Sequence, residues 1–174
     1  MQHTLATLLV MWVFPALMVY AAMTDLVDRR IANWISVSLI AAYFALALVQ
    51  LTPPLVVASH VGIALVAFAI GFGVFCTGRM GGGDVKLITA SVLWFGPNLA
   101  ALEYVTSLSI VGLAVTVVFV LMRLDILQYL MSINPLTRPF AGRDPSGRDV
   151  PYGLAIAAGA LMTTPNLAGL HGLL

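Results

Sequence analysis

The eight lysine and arginine residues of this 174-residue chain fall only in, or at the very edge of, every second gap between its long apolar runs. Those runs extend from Leu5 to Met23, Trp34 to Leu51, Leu55 to Cys76, Val85 to about Leu102, Tyr104 to Met122 and Tyr152 to about Leu173. Arg29 and Arg30 follow the first, Arg79 and Lys86 flank a glycine run after the third, and Arg123, Arg138, Arg143 and Arg148 follow the fifth. A hydrocarbon core roughly 30 Å thick is crossed by about 20 apolar residues of helix, so the spacing predicts six transmembrane helices. Basic loops stay in the cytoplasm, which puts the first, third and fifth connections there and both termini outside. The predicted fold is an all-α integral membrane bundle, one domain over residues 1–174.

Composition supports this class. With 61% hydrophobic and 9% charged residues and a mean hydropathy of +1.03, the chain is no ordinary soluble domain. The alternating segments of a membrane barrel are absent, and a net charge of +1 gives no footprint for nucleic acid. The first run lacks the basic flank of a secretory signal and reads as a permanent span. Cys76 is the single cysteine, so no cysteine cluster can hold zinc. His3, His60 and His171 fall near the predicted outer face and read as packing or interfacial residues, and neither a metal nor a cofactor is expected.

Thr52-Pro53-Pro54 and Gly96-Pro97-Asn98 mark short outer hairpins. In the fifth connection, Leu124 to Met131 has helical apolar spacing and is expected to lie along the inner surface, followed by a loop from Arg138 to Asp149. The fourth run has two readings. Either Gly96-Pro97 ends a helix of about 12 residues, only about 18 Å long, which sinks Asp84 below the inner surface, or Pro97 kinks a helix that continues to Leu102 and leaves Asp84 at the interface.

Two carboxylates stand out against so much apolar sequence: Asp25, just past the first run, and Asp84, ending Gly81-Gly82-Gly83-Asp84. Acids beside membrane spans are expensive and by default functional, and both are predicted at the cytoplasmic edge. Two carboxyls in one site share a proton, since both cannot ionise cheaply. One then activates water while the other donates a proton, the division of labour that hydrolyses an amide. Asp25 at a helix carboxyl end should hold its proton, and Asp84 at an amino end should ionise, which makes Asp84 the expected base and Asp25 the acid. The glycines permit positive φ or close approach of another strand; they lack P-loop spacing, and the plainer reading is a flexible turn with Asp84 as helix cap. Lys86 either favours ionisation of Asp84 or marks the inner boundary. Pro151-Tyr152-Gly153 opens the last run, where proline fits a first helical turn, and is expected to shape the cleft. The small residues beyond it, Ala155, Ala157, Ala158, Gly159 and Ala160, are expected to pack closely on another helix.

Taken together, three segments resemble one family. Asp25-Leu26-Val27-Asp28-Arg29-Arg30-Ile31-Ala32-Asn33 is similar to a first aspartate motif that ends in an Ile-Pro-Asn-type sequence. Gly81-Gly82-Gly83-Asp84-Val85-Lys86-Leu87 resembles a GxGD motif with its customary lysine, and Val150-Pro151-Tyr152-Gly153-Leu154-Ala155-Ile156 resembles the signature at the entry of the last helix. The family is the type IV prepilin peptidases, in the short CpaA/TadV-like form of tight-adherence (Flp) pilus systems. The resemblance implies an inner-membrane aspartic endopeptidase that removes the basic leader of a prepilin at the cytoplasmic edge of its apolar helix. It maps the catalytic pair onto Asp25 and Asp84, makes the prepilin and the bilayer partners, and adds the pilus assembly machinery as a further one. Asp28 is the rival to Asp25 but does not hold the motif position. Ala32 replaces the usual proline, which should loosen the start of the second helix while Asn33 remains. The large zinc-binding first loop of longer relatives is absent, so cleavage without N-methylation is expected. Two other classes stay open: another GxGD protease of preflagellin or signal-peptide peptidase type, and a proton-coupled transporter or secretion-machine subunit.

Overall fold

The computed structural model describes residues 12–121, 133 and 152–170, with side chains through 165 in the last stretch. Every described element is helical: α1 (Phe14–Asp28), α2 (Asn33–Val49), α3 (Pro54–Cys76), α4 (Gly82–Phe95), α5 (Leu99–Leu121) and α6 (Tyr152–Leu170). The expectations for Leu124 to Met131, the loop from Arg138 to Asp149, Pro151, His3 and His171 lie outside the described residues. Helix boundaries follow local chemistry. Pro54 begins α3, where its missing N–H would have had no intrahelical acceptor. Arg29 closes α1 in the left-handed conformation, its N–H donating to the Asp25 carbonyl at 3.1 Å.

The first of the two readings of the fourth run holds. α4 stops at Phe95 and α5 starts three residues after Gly96, so no kinked helix continues to Leu102. The stop has a physical cause in Gly96, at φ 67° and ψ −175°, a conformation open in practice only to glycine. The buried His60 ring occupies the place that a Gly96 side chain would take. From there His60 Nδ1 donates to the Leu93 carbonyl at 2.9 Å, satisfying a group at the helix end. His60 is therefore a packing residue, as expected, but one that terminates the central helix.

α4 is 14 residues, about 21 Å long, and packs against α2, α3, α5 and α6. Its pairing with α1 fixes the rest. Phe14 of α1 meets Trp94 and Phe95 of α4 with ring centroids 5.2 and 5.8 Å apart, and Ser91 Oγ lies 3.8 Å from Met18 Sδ. Met18 and Phe14 precede Asp25 by seven and eleven residues, and Ser91 and Phe95 follow Asp84 by the same steps. Two and three helical turns separate these positions, so each set lies along one face, and the antiparallel register sets Asp25 opposite Asp84. At the far end the aromatic cluster continues through Tyr104, stacked on Phe95 at 4.8 Å, and Tyr43, stacked on His60 at 5.5 Å. Trp94 Nε1 donates to the Leu39 carbonyl at 3.0 Å, tying α2 in.

α3 and α5, each 23 residues or about 34 Å, are long and apolar enough to cross a bilayer. They lie on the outside of the bundle and expose Leu55, Leu65, Ile70, Leu113 and Val117. Apolar surface of this extent suits lipid rather than water. The small residues of α6 pack inside the bundle as expected: a side chain on Gly159 would strike the backbone of Leu108, and Ala155 faces Gly112.

Gly96→Ala is expected to destabilise the detergent-solubilised protein by roughly 1–3 kcal/mol in thermal unfolding. Tyr104→Phe, which removes a buried hydroxyl without a well-formed hydrogen bond, is expected to stay within about 1 kcal/mol of the parent.

Candidate active site

Asp25 lies on the last turns of α1 yet is buried, with 7% of its surface exposed. The cause is α6. The Gly153 backbone N–H donates to Asp25 Oδ2 at 2.8 Å, across 128 residues of sequence. Glycine is required for that approach, since a β-carbon at position 153 would come within 2.8 Å of Oδ2 and 2.9 Å of Cβ and Cγ of Asp25. Tyr152 is half-buried beside it, at the first position of α6. Asp28, one turn further along α1, is exposed.

Asp84 is in the first turn of α4 and equally buried. Its Oδ2 accepts from the Gly81 N–H at 3.3 Å. Gly81 holds the N-cap position, so Asp84 does not cap the helix from there as expected but from its first turn, by accepting the Gly81 N–H. Nor is positive φ the use of this glycine run, because Gly81 has φ −72° and the positive-φ glycines among the described residues are Gly78 and Gly96. Close approach is. A β-carbon on Gly83 would lie 3.1 Å from the Ile31 side chain, and one on Gly81 would lie 3.0 Å from the Asp84 carboxyl. Gly82 has only an ordinary contact with Phe75.

The connection between α1 and α2 is thereby docked on the glycine run. Lys86 Nζ strengthens the docking by donating to Asn33 Oδ1 at 2.9 Å, joining α4 to the first residue of α2. Lys86 thus holds the loop rather than contacting Asp84. Ala32 has φ −67° and ψ 134°, the backbone that proline would impose, so the native conformation survives the exchange. Of the residues singled out in sequence, the structure brings together Asp25, Asp84, Gly81, Gly83, Tyr152 and Gly153, sets Asn33 and Lys86 beside them, and leaves Gly82 peripheral.

A model of the type IV leader peptidase family matches residues 12–124. The chain belongs to the type IV leader peptidase family. No curated protein and no solved structure matches it. Membership makes the chain a peptidase of type IV prepilins and fits the apolar outer helices of a membrane protein.

Both carboxyls of this leader peptidase stand just beyond the ends of the apolar runs Leu5 to Met23 and Val85 to about Leu102, and their electrostatics differ. Burial pushes Asp25 up, while the Gly153 N–H, the Arg29 guanidinium and the Leu154 N–H pull it down. Burial and then the charge of Asp25 push Asp84 up to about 7, against a single N–H from Gly81. The dipole argument from sequence weighed α1 alone: Asp25 does end α1, but it also faces the amino end of α6. Sequence reasoning placed Ile31 in the Ile-Pro-Asn-type motif but gave it no role; its contact with Gly83 is what the structure adds.

In the peptidase, Gly83→Ala is expected to lower activity at least about tenfold by displacing Ile31, whereas Gly82→Ala stays within about twofold. Leader removal from a co-expressed prepilin, normalised to membrane-protein level, measures both.

Proposed function

We propose that the chain is an aspartic endopeptidase that cleaves the leader of a tight-adherence (Flp) prepilin at the cytoplasmic face of a bacterial inner membrane, with Asp25 and Asp84 as its catalytic pair. One observation carries the reading: among the described residues these are the two buried carboxyls, and the charge of Asp25 pushes Asp84 up. Paired acids need neither metal nor covalent intermediate. The ionised member takes a proton from water as its oxygen bonds to the scissile carbonyl carbon. The protonated member stabilises the developing oxyanion, and the departing nitrogen receives a proton as the C–N bond breaks. Each turnover returns one proton to the pair.

The topology favours this substrate. The ends of α1, α4 and α6 that meet at the pair adjoin the first, third and fifth connections, which hold seven of the eight basic residues, and the eighth, Lys86, is in the first turns of α4 beside the third. The positive-inside rule assigns that end to the cytoplasm, with six spans and both termini outside. A prepilin presents the junction of its leader and apolar helix at the same depth. A helical peptide is shielded from attack, so the site must take an unwound segment, which glycine at the cut would ease. α1 and α2 are separated by only residues 29–32, too few for a zinc-binding methyltransferase loop, which supports cleavage without methylation. A proton-coupled transporter would place its acids near the midplane; here they stand at one end of the bundle.

Asp25→Asn and Asp84→Asn are each expected to reduce leader removal by about 10²–10⁴-fold while the protein still accumulates, and Asp28→Asn to leave it unchanged; immunoblots of co-expressed prepilin report the outcome. The active pair carries one proton, so kcat/KM should follow a bell. Activity is lost as pH rises through the upper step, near 7 where Asp84 is held, and again in acid as the second proton binds.

A further inference from the structure

We infer that the backbone amide of Gly153 sets the division of roles in the pair, holding Asp25 as the carboxylate that activates water and leaving Asp84 to carry the proton. This rests on the aspartic-pair reading above and adds to it which acid does what, and which residue decides. Gly153 is a positioning residue: its N–H donates to Asp25 Oδ2 at 2.8 Å, and a carboxylate accepts such a bond more strongly than a neutral acid does. It is the second residue of α6, so its N–H is one of those without a partner inside the helix, and the amino end of the helix adds its own attraction for negative charge.

Among the described residues, nothing equivalent is offered to Asp84. Its N–H donor, Gly81, is at 3.3 Å, and the nearest ammonium, Lys86, is engaged with Asn33. Among the described residues, the charged groups facing Asp25 are Arg29, at the end of its own helix, and Asp84 of α4. α2 and described α6 contain no charged residue, so no other side chain on the helices packed against α1 competes with the amide. The absence of a side chain at 153 is part of the device, since a β-carbon would occupy the space through which the two groups meet.

The infrared C=O stretch of a protonated carboxyl tests this in the detergent-solubilised full chain, with the Asp25→Asn/Asp84→Asn double variant as the blank. Asp25, followed in Asp84→Asn, should protonate at lower pH than Asp84 followed in Asp25→Asn. Adding Gly153→Ala should raise the Asp25 midpoint by about one to two pH units and leave that of Asp84 in place. A merely structural role for Gly153 would move neither midpoint. The inference is overturned if Asp25 protonates above Asp84, or if Gly153→Ala leaves the Asp25 midpoint where it was. Should Gly153→Ala not accumulate, the order of the two single-variant midpoints decides. Continued leader removal by either asparagine variant would instead sink the aspartic pair itself, an outcome separate from the titration order.

Discussion

The register of α1 against α4 is the constraint on which the site depends. Two layers of contact, aromatic at one end and Met18 with Ser91 in the middle, and the two interacting acids at the other end repeat at matching steps along both helices. A slide of one turn would move Asp25 about 5.4 Å along its partner and separate the acids. The aromatic rings oppose such a slide because they are large, interlocked and buried. His60 adds to this by ending α4 where the cluster begins, so the length of the central helix and the level of its first turn are set together.

Much of this was legible in the residues. Apolar runs and basic connections gave six helices that the described residues reproduce, and two acids in apolar sequence pointed to the site. The end of α4 was left between two readings because a glycine-proline pair stops or kinks a helix with similar ease. What decided it was the His60 ring, from another helix, and no local pattern announces such a contact. The pull of α6 on Asp25 was missed for the same reason. The dipole of the helix that carries an acid can be read from sequence, whereas that of a helix 128 residues away, presented end-on, cannot.

The glycine motif shows how partial such legibility is. Three consecutive glycines look equivalent on paper, yet Gly83 admits Ile31, Gly81 borders the Asp84 carboxyl and Gly82 does neither closely. The spacing Gly-x-Gly-Asp thus reports on which faces of one helical turn are crowded, and its free position is the one turned toward the edge of a phenylalanine.

At position 153 the working group belongs to the main chain and the useful property of the side chain is to be missing. Truncation surveys measure importance by deleting atoms, and there they would do the opposite, adding a methyl group to a contact made by hydrogen. The residue that most directly grips the first aspartate is thus one that such surveys can only obstruct, never remove.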